Sequence, residues 1–138
     1  MDQLKRARTL EALFIGNSPW IADLRPISNL PKLEYLFLEN VAAPVDLSFT
    51  QTLVNLREFG LSASRGHRLP VLTLEPLASL QNLEMLWLIS LKTMHGGLRP
   101  LHTLQRLKSL RTTIKSTSAE FKELCAAVPS LEYFQPVG

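Results

Sequence analysis

Along residues 97 to 113, GLRPLHTLQRLKSLRTT, a leucine stands at every third position: Leu98, Leu101, Leu104, Leu107 and Leu110. An α-helix buries one face at a period of about 3.6 and a strand at a period of about 2, so this spacing belongs to neither. Side chains at i and i+3 eclipse in a 3-10 turn, and the stretch reads as short turns running into a strand. The strand phrase recurs six times: LEALFI from Leu10, LEYLFL from Leu33, LREFGL from Leu56, LEMLWL from Leu83, LKSLRT from Leu107 and LEYFQP from Leu131. Its form is L-x-x-L-x-L, with starts 23, 23, 27, 24 and 24 residues apart. Nine residues upstream of the second to fifth phrases a lead-in begins: LRPISNLPK, LSFTQTLVN, LEPLASLQN and LRPLHTLQR.

Such a repeat cannot bury its leucines alone, whereas stacked copies bury them in one continuous core. Places four and six of each phrase should face that core, and places three, five and seven should face out of the opposite side of the sheet. All strands run the same way, so the sheet is parallel. Pro26, Pro76 and Pro100 in the lead-ins favour short turns over long helices. The expected fold is therefore α/β: a solenoid with about six short parallel strands on its concave face and 3-10 or extended backbone on its convex side. The last coil departs from this. Phe121, Leu124, Cys125 and Val128 stand at helical spacing behind Thr117 and Glu120, placed as a capping box, which predicts an α-helix over 118–127 with Cys125 on its buried side. A second short helix is expected over 2–8. The whole, residues 1–138, is expected to be one repeat domain, either with its own N-terminal cap or as a piece of a larger array.

These features resemble the leucine-rich repeat family. The segment NSPWIADLRPISNLPKLEYLFL is similar to the internalin-type subclass, whose pattern N-x-I-x-D-I-x-P-L-x-x-L-x-x-L is met by Asn17, Ile21, Asp23, Leu24, Pro26, Ile27, Leu30 and Leu33. The family's usual ninth-place asparagine is missing, with Ser18, Val41, Ser64, Leu91 and Lys115 there instead. The resemblance implies protein binding on the concave sheet.

Placed in register, the phrases present three outward rows. The third place reads Ala12, Tyr35, Glu58, Met85, Ser109 and Tyr133, and the fifth reads Phe14, Phe37, Gly60, Trp87, Arg111 and Gln135. The seventh reads Gly16, Glu39, Ser62, Ile89, Thr113 and Val137. Phe14, Tyr35, Phe37, Met85, Trp87 and Ile89 would form an apolar patch of the composition found at interface hot spots. Gly60 interrupts the aromatic row. With rungs about 4.8 Å apart it should leave Phe37 and Trp87 roughly 10 Å from each other over a dent that could admit a partner side chain. The extra length of the third repeat lies between Ser62 and Thr73 and reads as a loop carrying Arg65, His67 and Arg68 beside that dent. The bare sheet offers roughly 300 Å² against about 800 Å² per side for a standard interface, so the loops near 62–72 and 89–97 are expected to take part. The candidate partner-binding set is thus Phe14, Tyr35, Phe37, Gly60, Met85, Trp87, Ile89, Arg65, Arg68 and Arg111.

Composition narrows the function classes. The 138 residues carry 15 basic and 12 acidic side chains, for a net charge of +3. No apolar run approaches the roughly 20 residues of a membrane span, so a membrane is not an expected partner. A single cysteine cannot form an internal disulfide, which suits a cytoplasmic setting. His67, His95 and His102 are scattered without ligand spacing, and no nucleophile stands near a base, so neither an enzyme nor a cofactor or metal is expected. Lys92, Arg99, Arg106, Lys108, Arg111 and Lys115 form an acid-free basic run, which could track phosphates. They fall on different sides of the coils, however, and Glu39 and Glu58 share the concave face. A protein partner is the expectation, self-association through the same patch the alternative, and nucleic acid or an acidic partner on the 92–115 region the second alternative.

Overall fold

The computed structural model describes residues 7–64, 66–114 and 117–136, with Ser118 and 133–136 described by backbone alone. Its strands are β1 (Ala12–Ile15), β2 (Tyr35–Glu39), β3 (Glu58–Ser62), β4 (Leu69–Thr73), β5 (Met85–Ile89), β6 (Leu91–His95), β7 (Ser109–Thr112) and β8 (Tyr133–Pro136). Between them lie 3-10 turns at Arg25–Asn29, Leu47–Thr52, Glu75–Ser79 and Arg99–Thr103, and one helix, α1 (Ser118–Ala127). Six strands form a parallel sheet in the order β1-β2-β3-β5-β7-β8.

The period of three has a backbone cause. Ile27 N–H donates to Leu24 C=O at 3.1 Å, Leu30 to Ile27 at 3.1 Å and Leu33 to Leu30 at 3.2 Å. The same i to i+3 chain links Leu74, Leu77, Leu80 and Leu83, and again Leu98, Leu101, Leu104 and Leu107. Each turn of three residues returns a side chain to the same face, and these leucines are all buried. The second coil has Thr50 at the middle place. It too is fully buried, its hydroxyl donating to Leu47 C=O at 2.7 Å, so no polar group is stranded. From the other side Leu36, Leu38, Phe59, Leu61, Leu86, Leu88 and Leu110 close the same core. Burying each contributes about 2 kcal/mol.

Polar side chains tie coil to coil at the turns that enter β3, β5 and β8. Asn55 Nδ2 donates to Pro31 C=O at 2.9 Å, Asn82 Nδ2 to Val54 C=O at 2.9 Å, and Ser130 Oγ to Gln105 C=O at 2.6 Å and Leu107 C=O at 2.9 Å. At the exit of β1, β2 and β5 the eighth place takes the left-handed conformation, with φ of 46° at Asn17, 49° at Asn40 and 58° at Ser90. Asparagine tolerates that region better than most residues. The asparagines therefore serve the corner one place ahead of the family's usual position, and Asn40 bridges to the next coil through the Ser64 amide and hydroxyl.

The extra length of the third repeat is not a plain loop. Residues 69–73 form β4, which pairs in parallel with β6 over Leu69↔Leu91 to Thr73↔His95, and Val45 bridges to Val71 on the other side. Leu69, Val71 and Leu91 turn inward and are buried. The chain leaving one concave strand here satisfies the amides of the chain leaving the next, giving the flank between the concave and convex layers a small sheet of its own. Residues 69–72 and 91–95 of the two regions expected to take part in binding are thus built into that flank.

The helix occupies the predicted span. Thr117 Oγ1 accepts from Glu120 N–H at 3.2 Å, and Thr117 N–H donates to the Glu120 carboxylate at 2.7 Å, completing the capping box. It takes the place of the lead-in in the last coil, beside the Arg99–Thr103 turn. Cys125, expected inward, is exposed. Among the described residues of this segment, Leu124 and Val128, with Phe121 and Ala127 half-buried beside them, face the core, and Cys125 is turned about 100° from Leu124. The helix expected over 2–8 lies outside the described residues apart from its end, and residues 7–10 form a turn closed by Leu10 N–H on Ala7 C=O at 2.9 Å.

Candidate functional site

The register of the sheet follows the repeat. Phe14 pairs with Phe37, Phe37 with Gly60, Gly60 with Trp87, and Trp87 with Arg111. Tyr35, Glu58, Met85 and Ser109 form the neighbouring row, and Glu39, Ser62 and Ile89 the third. Alternate residues of a strand share a face, so these rows form one surface. The backbone of Gln135 pairs with Arg111; Val137 lies outside the described residues. Trp87 remains 39% exposed and Phe14 66%, while Tyr35, Phe37, Met85 and Ile89 are half-buried.

The expected dent at Gly60 is filled. A Cβ built on Gly60 would stand 2.5 Å from Cδ1 of Phe37; the phenyl ring lies on the bare glycine backbone. From there it meets Trp87 with ring centroids 5.8 Å apart at an angle of 63°, in the edge-to-face arrangement that aromatic quadrupoles favour. The spacing of about 10 Å presumed both rings upright over their own strands, and the missing side chain instead lets one ring fold across. Gly16 is covered likewise by Phe14, whose Cε1 stands 2.6 Å from the position of a Cβ. On the far side of Trp87 the Arg111 guanidinium carbon is 5.9 Å from the ring centroid, within cation–π range. Phe37, Trp87 and Arg111 are therefore one packed row.

Beside this row runs a rim of charges. Arg57 Nε donates to Glu84 Oε2 at 2.7 Å, and Lys108 Nζ is 3.3 Å from Glu84 Oε1. The Arg57 hydrogen bond is the main cause that holds the Glu84 carboxyl below its ordinary range, and the same bond raises Arg57. Two members of the basic run, Arg106 and Lys108, are likewise engaged within the molecule. Arg106 donates to Asn82 Oδ1 at 3.0 Å, Lys108 pairs with Glu84, and Arg99 and His102 share a shallow groove with Glu120 and Glu123, which α1 brings to them.

One site residue does not join the row: Arg68 is exposed on the flank just before β4. Arg65 lies outside the described residues. His67 and His95 are also exposed and apart, and among the described residues no three His, Cys, Asp or Glu side chains stand together to hold a metal. No helix among them is long and apolar enough to cross a membrane. The ladder of Asn55 and Asn82 escaped the sequence reading although both stand directly before a phrase leucine, the signal that would have found it.

No family model and no curated protein sequence matches the chain. Among solved structures it is similar to internalin C2 of Listeria monocytogenes at 20% identity and a TM-score of 0.55, over 98% of this chain and 68% of that one. It is also similar to internalin F of the same organism, at 19% identity and a TM-score of 0.41, over 97% and 56% of the two chains. A leucine-rich repeat protein of Leptospira interrogans gives 20% and 0.41, over 95% and 44%. The chain thus spans about half the length of the last two. Its fold is the leucine-rich repeat solenoid, as in internalin C2.

Proposed function

We propose that this leucine-rich repeat solenoid is a non-catalytic recognition module, a single domain of cytoplasmic setting that holds a partner protein against its concave sheet. The observation that carries this reading is the row Phe37–Trp87–Arg111, pre-packed on a rigid sheet yet leaving Trp87 39% exposed. Rings already held in place lose little conformational entropy when a partner covers them. Binding energy is assigned to Tyr35, Phe37, Met85 and Trp87, with Phe14 and Ile89 bordering the patch and Gly60 acting by letting Phe37 lie flat. Arg111 orients Trp87, Arg68 contributes from the flank, and Arg65 is assigned to the same binding set. A polyanion is disfavoured because the basic side chains are spread over different sides and two of them, Lys108 and Arg106, are engaged by Glu84 and Asn82.

A photo-crosslinking residue placed at Met85, and as control at Gln51 on the convex turn, tests the reading in the native cell. The concave probe should capture one protein that Trp87→Ala releases, and the convex probe should not. Self-association is the second reading, favoured by Phe14 and Trp20, which are 66% and 76% exposed on the first coil. Sedimentation equilibrium showing a dimer that Phe14→Ala dissociates would assign the patch to assembly.

A further inference from the structure

Glu58 stands in the middle of the apolar face. It pairs in register with Tyr35 on one side and Met85 on the other. It precedes Gly60 by two residues on the same face, one row from the Phe37 ring that covers Gly60 and the Trp87 ring that meets it. Four other acids have local partners: Asp23 is paired with Arg25, Glu84 with Arg57 and Lys108, Asp46 accepts from Ser48 N–H and Glu120 caps α1; what sets Glu58 apart from the remaining acids is its place in register between Tyr35 and Met85. The Glu58 carboxylate forms no hydrogen bond or ion pair with a described residue, and the side chain is half-buried. A partner that covers Phe37 and Trp87 must also strip water from Glu58. A carboxylate buried without a cation is strongly unfavourable, whereas a cation set between it and aromatic faces gains from both.

We propose that Glu58, flanked in register by Tyr35 and Met85 and one row from Phe37 and Trp87, receives a lysine or arginine side chain of the partner protein, next to an apolar side chain that covers the Phe37–Trp87 pair. This rests on the concave-face reading and names the chemistry of the occupant. The other end of the row is already served, because Arg111 lies against Trp87 from within the chain. Position therefore sets the charge order along a bound segment: base over β3, apolar anchor over β5.

Short random peptides displayed on phage and selected against the full chain test the assignment. Those selected are then measured on the wild-type, Glu58→Gln and Trp87→Ala proteins, with circular dichroism confirming that both variants are folded. The selected peptides should carry lysine or arginine beside an aromatic or aliphatic residue. Glu58→Gln should weaken them about tenfold, the size of one charge-assisted contact. Replacing the base by norleucine should weaken binding to the wild type to a similar extent and change little further on Glu58→Gln. Peptides that need Trp87 but carry no base and ignore Glu58 would overturn the assignment and leave the concave-face reading standing. Peptides indifferent to Trp87, or none selected at all, would overturn both.

Discussion

The phenyl ring of Phe37 lies on the backbone of Gly60, where a Cβ would stand 2.5 Å from its Cδ1. The contact crosses from β2 to β3 and delivers the ring to Trp87 on β5, 5.8 Å away between centroids. A glycine in the centre of a sheet weakens it by leaving nothing to pack; here a neighbouring ring supplies the packing. The concave face is ordered before any partner arrives.

Gly60→Ala should displace that ring, and because the obstacle is a side chain that can swing aside, the cost should be about 1 kcal/mol, the worth of the aromatic pair. In a Phe37→Ala background the same change should be nearly neutral. Chemical denaturation of the two single variants and the double variant measures the coupling. Additive losses would show that Phe37 does not rest on Gly60.

Leu36→Ala and Leu86→Ala should each lose about 2 to 5 kcal/mol, since both side chains are fully buried and would leave cavities. Trp87→Ala should cost no more than about 1 kcal/mol of stability, yet about 2 kcal/mol or more of partner binding, the signature of an interface anchor. Equal stability losses in all three would mean that the faces are interchanged.

Asn82→Ala removes the donor to Val54 C=O and the acceptor for Arg106. The loss should be about 1 kcal/mol, and hydrogen exchange should rise at the turns on either side of residue 82. Exchange unchanged there would leave the ladder without a structural part.

The lowered Glu84 carboxyl makes stability depend on acid. A depressed carboxylate contributes fully above its unfolded-state value of about 4.5 and loses that contribution as pH falls through the lower folded-state value. Between those limits wild-type thermal stability should fall more steeply with pH than that of Glu84→Gln, whose curve should be flatter. Parallel curves would show that Arg57 does not bias Glu84. Salt should shrink the difference, because Arg57 is well exposed.

The order of leucines along the chain was enough to determine the coil. A residue that returns every third place closes a 3-10 turn by its own backbone hydrogen bond, as Leu74, Leu77, Leu80 and Leu83 do. Alternation within each phrase then decides which face is buried. Register followed as well, from Phe14 to Arg111 across five strands, because repeats of nearly equal length stack like upon like. Local signals also sufficed for α1, where a capping box stands before a helical apolar stripe.

Tertiary structure decided the rest, wherever the outcome depends on what a neighbouring coil presents. The pairing of β4 with β6 arises because two exits of unequal length run side by side and satisfy each other's amides. Cys125 turns outward because the last coil offers its helix only a narrow strip of core. The Phe37 ring crosses to Gly60 because a rotamer is chosen by the space available on the next strand. Linear order sets which residues become neighbours, but the direction a side chain takes among them follows from steric room and desolvation, which exist only once the coils have stacked.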